Sequence, residues 1–280
     1  MMADAFRMDA ITRQVEYCNR CGLYFINPTF APTELARLYS EGQMLRHYER
    51  VPSPGGVLGS FGTRAPEELW ALEMRHSRHV YNAVMQDVRS PVKLMVVDVG
   101  GAYGCHLRFF EQDGHHCFVQ DVIRRSKLFP GVQFIRSLAS VQSADVVICT
   151  HVLEHIVEVG KFLADIRDKQ AVGSLLYVEV PYEVDSRVRR RDFGTPFHVN
   201  FFSKESLAAV LAMYSYTPKR TGIRRLTYDG EPLLVIAGSF VRVANPTSSQ
   251  PVPGALREVL RGAVYRLGER FTPWIFRGWQ

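Results

Sequence analysis

Residues 94–104 read LMVVDVGGAYG, a continuous apolar run that ends in an aspartate and a glycine-rich turn. Apolar, β-branched runs of this kind are typical of a strand that is buried on both faces of a parallel sheet. Glycine adopts positive φ without steric cost and lets the backbone approach a ligand closely, as a tight turn after Val99 requires. The segment therefore predicts a buried strand, a sharp turn and the start of a helix, with a ligand site at the turn.

The same pattern continues along the chain. Four further apolar runs lie at residues 117–119, 132–135, 146–149 and 175–180. Helical stretches lie between them, most clearly over residues 105–112 and 159–169. Alternation at this spacing predicts βαβ units and a doubly wound, mostly parallel sheet. Residues 224–228 and 233–243 flank Asp229-Gly230 and predict an antiparallel hairpin, so the expected fold class is α/β with a seven-stranded sheet that ends in a hairpin.

The segments that flank this core differ from it in composition. Residues 17–27 contain a Cys-x-x-Cys-Gly turn and a short apolar strand, and two helices are expected after it, one capped by Thr33 and one beginning at Pro66. A Pro- and Ser-rich linker precedes a basic amphipathic helix at the end of the chain. We therefore divide the chain into an N-terminal knuckle and helical extension (1–92), a core (93–243), a linker (244–254) and a tail (255–280).

The composition of the 280-residue chain is that of an ordinary globular protein, with 46% hydrophobic and 22% charged residues. These values exclude disordered, collagen-like and disulfide-scaffold proteins. Five cysteines in unlike contexts favour a reducing compartment, and the first residues lack the apolar core of a signal peptide. No apolar run approaches the roughly 18 residues of a membrane span. We expect a cytoplasmic protein whose net charge of +6 permits acidic partners but names none.

The residues around the turn suit a ligand that carries an amine, a carboxylate and a ribose. Asp98 can accept a hydrogen bond from an ammonium group, and free amides at the start of the next helix favour a carboxylate. Asp121 follows the second strand, where a carboxylate can bind the hydroxyls of a ribose. The spacing does not match the Gly-x-Gly-x-x-Gly fingerprint, because position 105 is Cys, and this disfavours a nucleotide-binding dehydrogenase. The remaining alternative is a tight strand-to-helix turn that binds no ligand.

Four other segments accompany the acidic-x-Gly-x-x-x-Gly motif of residues 98–104. They are Asp121, the strand and Val-Leu-Glu-His sequence of 144–155, the Val-Glu-Val-Pro sequence of 178–181 and the His, Phe and Ser residues of 197–203. Together these segments resemble the class I S-adenosylmethionine-dependent methyltransferases. The resemblance implies a Rossmann-like methyltransferase fold and S-adenosylmethionine as cofactor. The cofactor-binding residues that it implies are Asp98, Gly100, Gly101, Ala102, Gly104, Asp121, Thr150 and His151.

His155 and His198 are the candidates for acid–base catalysis. Methyl transfer to an oxygen requires removal of the acceptor's proton, a task that suits histidine near neutral pH. His155 lies just beyond the strand of residues 146–149, and His198 follows the next strand by a loop. For each histidine the alternative is a structural role in ordering the pocket.

The N-terminal cysteine turn and the Asn27-Pro28 stretch resemble a methyltransferase subgroup that often modifies sugars and recurs with surface-polysaccharide biosynthesis. The implied acceptor is a small molecule: a sugar, a nucleotide sugar or a surface-glycan intermediate. The alternative is a non-catalytic, methyltransferase-like module that scaffolds a glycan assembly complex. Arg189, Arg190 and Arg191 either recognise a phosphorylated or acidic acceptor or belong to a solvated loop. Nucleic acid is not an expected partner, because base-flipping motifs and aromatic-interleaved basic stripes are missing from the sequence.

Relatives in this subgroup usually carry two Cys-x-x-Cys pairs, whereas this chain has only Cys18 and Cys21. A tetrahedral zinc site needs four ligands, so we expect these cysteines to hold no stoichiometric zinc, and the sequence predicts no metal site.

The tail has two interpretations. Its apolar face repeats at helical spacing, and its five arginines and its terminal aromatic residues suit the surface of an anionic membrane. This interpretation predicts weak peripheral contact with the inner face of a membrane. In the alternative, the same face packs on the core or on a second subunit.

Overall fold

The computed structural model describes residues 14–31, 33, 65–88, 92–125, 127–184, 198–228 and 231–245. The strands in these residues are β1 (Gln14–Tyr17), β2 (Tyr24–Asn27), β3 (Met95–Val99), β4 (His116–Gln120), β5 (Gln133–Ile135), β6 (Val146–Thr150), β7 (Leu175–Pro181), β8 (Asn200–Phe201), β9 (Tyr216–Tyr228) and β10 (Glu231–Arg242). The α-helices are α1 (Pro66–Leu72), α2 (Met74–Met85), α3 (Arg108–Gln112), α4 (Val159–Arg167) and α5 (Lys204–Met213). Short 3-10 helices cover Cys105–Leu107, Leu138–Ser140 and Leu153–His155.

Seven strands form the main sheet, in the order β5-β4-β3-β6-β7-β10-β9. Strands β3 to β7 pair in parallel. β10 pairs antiparallel with both β7 and β9. The predicted α/β fold, with a mostly parallel sheet that ends in an antiparallel hairpin, is confirmed.

Apolar side chains cover both faces of this sheet. Neighbouring residues of a strand point to opposite faces, and Val96 packs in one core cluster with Val84 of α2 and Phe110 of α3. Val147 belongs to the cluster on the other face, together with Leu163 of α4. Burial on both faces explains why the parallel strands read as continuous apolar runs.

The last strand of the sheet is longer than predicted. β9 begins at Tyr216, whereas the sequence pattern placed its start at Arg224. Pro218 and Lys219 interrupt the apolar pattern that would have revealed the first part of the strand. The strand lies at the edge of the sheet, where proline and lysine are tolerated because one side of the strand needs no hydrogen-bonding partner.

Two predicted helices are each divided in the structure. The helix predicted to begin at Pro66 breaks at Glu73 into α1 and α2, with Pro66 in the first position of α1 as predicted. Glu73 is buried, and its carboxylate lies 3.3 Å from Nδ1 of His76. The helix predicted over residues 105–112 consists of a 3-10 turn followed by α3.

β1, β2 and β8 form a second, three-stranded sheet. The cysteine turn joins β1 to β2 and is closed by a hydrogen bond from the Gly22 N–H to the Cys18 carbonyl (2.8 Å). The short strand predicted after this turn is β2. Because β2 pairs with β8, which lies between β7 and α5 in the chain, the N-terminal extension and the core share one sheet.

Several predicted segments lie outside the described residues. These are most of the helix after Thr33, Arg189 to Arg191, the Asp229-Gly230 turn, most of the linker and the tail. In the part of the chain that is described, none of the helices has the length and apolar character needed to cross a membrane. The division of the chain into four segments stays a prediction.

Candidate functional site

The glycine turn lies at the edge of the main sheet where the parallel strands end, hereafter the carboxyl edge. Its backbone has positive φ at Gly100 (70°), Ala102 (46°) and Gly104 (76°). The Gly100 N–H donates to the Gln120 carbonyl (2.7 Å), and the Gly104 N–H donates to the Gly101 carbonyl (2.7 Å). The predicted tight turn from strand to helix is therefore present. One hydrogen bond closes the turn internally, and another connects it to β4.

Close contacts exclude side chains at two positions of this turn. A Cβ at residue Gly100 would lie 2.5 Å from Cγ2 of Val152, and one at Gly101 would overlap Oδ2 of Asp98. Valine is stiff at χ1 and the Asp98 carboxylate is enclosed, so neither neighbour moves away cheaply. The glycines let the turn pack directly on the end of β3 and on the segment after β6.

Asp98 is completely buried beneath the turn. Neither oxygen of its carboxylate has a hydrogen-bond partner among the described residues. Burial and the negative charge of Asp121 raise its pKa to about 8, although His76 acts in the opposite direction. A buried carboxylate without a partner is costly, so this group fits a cationic partner such as the ammonium group of an amino acid.

Asp121 lies after β4 and faces the glycine turn. Its Oδ2 accepts a hydrogen bond from the Ala102 N–H (3.2 Å), and its Oδ1 accepts one from the Ile123 N–H (2.9 Å). The side chain is only partly buried. The structure thus brings together the turn and the acid that the resemblance assigns to ribose binding.

His151, which follows Thr150 at the end of β6, has an unusual backbone and a charged environment. Its φ is 54°, and its N–H donates to the Glu179 carbonyl (2.9 Å). Its Nδ1 lies 3.4 Å from Oε1 of Glu154, and its Nε2 lies 3.3 Å from Oε1 of Glu179. Burial disfavours the charged imidazole, but the two carboxylates outweigh it and raise the pKa of His151 to about 10. The side chain is therefore an imidazolium held between two glutamates.

A group of buried polar side chains that the sequence analysis missed adjoins His151. We call Glu73, His76, His106 and Glu179 the His/Glu cluster. Burial works against the charge on His76, but Glu179 and Glu73 raise its pKa to about 9. Burial and the charge of His76 lower the pKa of His106 to about 4. The available signal was Glu179 itself, a charged residue inside an otherwise apolar strand that was predicted to be buried.

The two candidate bases lie side by side. The ring centroids of His155 and His198 are 4.8 Å apart. Nδ1 of His198 lies 2.7 Å from Oε2 of Glu183, and both side chains are buried. We call this pair the His198–Glu183 dyad. Glu154, next to His155, is also buried, and although burial raises its pKa, the hydrogen bond from His151 and the neighbouring histidines lower it overall.

Hydrogen bonds from β8 hold His198 near His155. The Val199 N–H donates to the Glu154 carbonyl (2.7 Å). Nδ2 of Asn200 donates to the carbonyls of Leu153 (3.0 Å) and Ile156 (2.6 Å). These bonds fasten the short strand to the 3-10 helix that carries His155, so sequence-distant residues meet at one place on the carboxyl edge.

Two groups of potential metal ligands occur in the described residues. One is Glu73, His76 and His106, and the other is Glu154, His155 and His198, with ligand atoms within 4.8 Å of one another in each group. Neither includes Cys18 or Cys21, whose thiols are free. The expectation that these cysteines hold no zinc stays a prediction.

Comparisons with known proteins identify similar folds. The chain resembles 1,6-didemethyltoxoflavin-N1-methyltransferase from Burkholderia thailandensis, solved with 1,6-didemethyltoxoflavin and S-adenosylhomocysteine, at 16% identity and a TM-score of 0.52, over 82% of this chain and 99% of that chain. It also resembles magnesium protoporphyrin IX methyltransferase from Synechocystis PCC 6803, solved with S-adenosylhomocysteine, at 15% identity and a TM-score of 0.51, over 75% of this chain and 98% of that chain. At such identities the likeness concerns the fold.

A family model described as a methyltransferase domain matches residues 70–217, which is more than half of the chain. The matched range contains the glycine turn, Asp121, His151 and the His198–Glu183 dyad. No curated protein matches the chain.

Proposed function

Since the chain belongs to the family of methyltransferase domains, we propose that it transfers the methyl group of S-adenosylmethionine to a hydroxyl oxygen of a polar small molecule. The observation that carries the choice of an oxygen acceptor is the His198–Glu183 dyad, with Nδ1 and Oε2 2.7 Å apart beside His155. A carboxylate that holds one nitrogen of an imidazole leaves the other nitrogen to accept a proton.

The glycine turn and Asp121 form the proposed cofactor site. Asp98 suits the ammonium group of the methionine portion, because its buried carboxylate lacks a partner among the described residues. Asp121, beside the turn, suits the ribose hydroxyls, and Thr150 and His151 border the site at the end of β6. When bound, the sulfonium group supplies an electrophilic methyl carbon.

The protein's part in the reaction is to align the acceptor and to remove its proton. With S-adenosylmethionine held by the glycine turn and Asp121, its methyl carbon would be the electrophile for the acceptor oxygen, and S-adenosylhomocysteine would be the leaving group. The hydroxyl proton passes to Nε2 of His198, and Glu183 stabilises the imidazolium that results. Most of the rate enhancement comes from alignment, which requires the acceptor oxygen and the methyl carbon to be held in line.

For the acceptor we propose a sugar or a nucleotide sugar, the class that the N-terminal sequence resemblance implies. Two solved neighbours are named for small-molecule acceptors, 1,6-didemethyltoxoflavin and magnesium protoporphyrin IX. This supports a small-molecule acceptor in general, and the sugar rests on the sequence resemblance alone. Arg189, Arg190 and Arg191 are the residues proposed to bind a phosphate of the acceptor.

The test is formation of S-adenosylhomocysteine by the full chain with a panel of acceptors: nucleotide sugars, sugar phosphates, unphosphorylated sugars and hydroxylated aromatics. With the best acceptor, His198→Gln is expected to lower kcat by about 100-fold or more and to leave the affinity for S-adenosylhomocysteine unchanged. The matched control is His116→Gln, an exposed histidine at the start of β4. An unchanged kcat in His198→Gln contradicts the assigned base, and cofactor binding without turnover over the whole panel favours a non-catalytic scaffold.

The arginine loop gives a separate prediction. If the acceptor is phosphorylated, replacing Arg189, Arg190 and Arg191 with Gln is expected to raise the acceptor KM and to leave cofactor affinity unchanged, because the proposal assigns the lost charges to the phosphate of the acceptor and not to the cofactor. Steady-state kinetics and calorimetry measure the two quantities. Equal kinetics in the variant and the natural protein assign these arginines to a solvated surface.

A further inference from the structure

The proposed methyl transfer makes no use of three side chains of the His/Glu cluster: Glu73, His76 and His106. Glu73 and His76 belong to the start of α2, and His106 lies in the 3-10 turn directly after the glycine turn. In sequence the two histidines are about 30 residues apart, and their spacing matches no metal-binding motif. The fold places them against one another, with ring centroids 4.6 Å apart.

The spacing of the ligand atoms suits a small divalent ion. Two ligands bound at about 2.1 Å in tetrahedral geometry lie about 3.4 Å apart. Oε2 of Glu73 and Nδ1 of His76 are already 3.3 Å apart. The candidate ligand atom of His106 lies within 4.8 Å of the others, so a shift of at most about 1.4 Å completes the set.

The surroundings of His76 resemble those of a metal-bound histidine. Its second nitrogen, Nε2, lies 2.8 Å from Oε1 of Glu179, and the Tyr177 hydroxyl donates to the other oxygen of Glu179 (3.2 Å). Histidines that bind a metal almost always donate their second N–H to a carboxylate or carbonyl, which fixes the ring and increases its basicity. Glu179 and Tyr177 supply this arrangement in a strand where all other residues are apolar.

His106 provides an independent observation. Its Nδ1 is buried and has no hydrogen-bond partner among the described residues. A buried polar atom that lacks a partner destabilises the fold by about 1–3 kcal/mol. The ring lies against His76, so a ligand shared by the two histidines removes this penalty.

We propose that Glu73, His76 and His106 bind a divalent transition metal ion, with Zn²⁺ as the best match to two imidazoles and one carboxylate. Glu179 is the positioning residue for His76. The ion connects the start of α2 to the 3-10 turn that follows Gly104, and so it stabilises the glycine turn. This proposal is independent of the acceptor and of the assigned base.

The experiment is metal binding by the full chain after treatment with a chelator. Equilibrium dialysis with Zn²⁺ is expected to give one ion per chain. Co²⁺ is expected to give visible absorption bands without the intense near-ultraviolet band that a cobalt–thiolate bond produces, because the proposed ligands include no cysteine. His106→Gln and Glu73→Gln are each expected to lower the Zn²⁺ affinity by about 100-fold, and Glu179→Gln by about 10-fold or more. Circular dichroism checks that each variant is folded. If one variant fails to fold, the other two still test the proposal.

Two controls separate this site from other ligands in the chain. The double variant Cys18→Ser, Cys21→Ser and the single variant His198→Gln should both keep one ion per chain with unchanged affinity. Failure of the natural protein to bind Zn²⁺ or Co²⁺ overturns the proposal. So does loss of the ion in either control while His106→Gln retains it, because the ion then belongs to the cysteine turn or to the group around His198.

Discussion

At Asp98, burial disfavours the charged form of the carboxylate, whereas the proposed binding of an ammonium group favours it. Its pKa is raised from 3.8 to about 8, chiefly by burial and then by the charge of Asp121. Because the folded pKa lies above the unfolded one, the folded protein holds a proton that the unfolded chain has released between these pH values. The stability of the ligand-free protein therefore falls as the pH rises from about 4 to about 8, and this contribution is constant above that range.

We predict that Asp98→Asn removes this pH dependence. At pH 8 the variant without ligand should melt at a temperature higher by about 2 °C or more, since an amide carries no charge to bury. Its affinity for S-adenosylhomocysteine should fall by about 10-fold or more, because a hydrogen bond to a charged group is lost. Thermal melts at pH 5 and pH 8, with calorimetric titration, measure both effects. Asp145→Asn, at an exposed position, is the control, and unchanged ligand affinity in Asp98→Asn would contradict the assigned partner.

At the scale of elements, the glycine turn differs from other left-handed positions in what surrounds it. Gly100 and Gly173 both have positive φ, at 70° and 93°. A Cβ on Gly173 meets no atom within 4 Å, whereas one on Gly100 collides with Val152. The two glycines therefore form a matched pair. An alanine would strain the backbone at either position, but its Cβ would collide with a neighbouring side chain only at Gly100, in the candidate site.

We predict that Gly100→Ala and Gly173→Ala both lower the melting temperature, because each places an L-residue in the left-handed region at a cost of about 1–2 kcal/mol. Only Gly100→Ala should also weaken binding of S-adenosylhomocysteine, by about 10-fold or more, which corresponds to about 1.4 kcal/mol. Calorimetric titration of the two variants decides the matter. Equal ligand affinity in both variants would mean that the turn is structural.

The short strand β8 connects the small sheet to the 3-10 helix that carries His155. Asn200→Leu keeps the volume of the side chain and removes its two hydrogen bonds, to the carbonyls of Leu153 and Ile156. We predict a loss of about 2 kcal/mol in the free energy of unfolding, because buried carbonyls are left without donors. Chemical denaturation measures it. Gln120→Leu, which removes an exposed bond to Arg136, should change stability by less than about 0.5 kcal/mol.

At the scale of the whole molecule, the tail of residues 255–280 is the segment that could relate the enzyme to a membrane. A basic amphipathic helix that ends in aromatic residues can lie on an anionic bilayer. We predict that the full chain co-sediments with anionic liposomes at low salt and that a chain ending at Gly254 does not. Added salt should weaken the attachment, since screening reduces its Coulomb part. If neither form sediments and the shortened chain is unstable or changes its oligomeric state, the tail is a packing element.

The sequence by itself determined the fold class and the position of the glycine turn. Strands buried on both faces must be apolar throughout, and a left-handed turn requires glycine, so β3 and Gly100 carry local signals that do not depend on distant contacts. The same holds for Asp98 and Asp121, which follow from their places at the ends of strands. Local signals failed for β9, because an edge strand tolerates Pro218 and Lys219 and its pattern is no longer apolar.

Only the tertiary structure decided which side chains meet at the carboxyl edge. Glu183 is 15 residues from His198 in sequence, and Glu179 is 103 residues from His76, yet each pair is within hydrogen-bonding distance. No periodicity relates such residues, because their contact depends on how separate strands and helices pack. The charge states follow from the same packing. Burial lowers the pKa of His76, but the carboxylates of Glu179 and Glu73 outweigh it and raise that pKa to about 9, while burial and the charge of His76 lower the pKa of His106 to about 4. Identical imidazoles acquire different chemistry because the fold gives each a different set of neighbours.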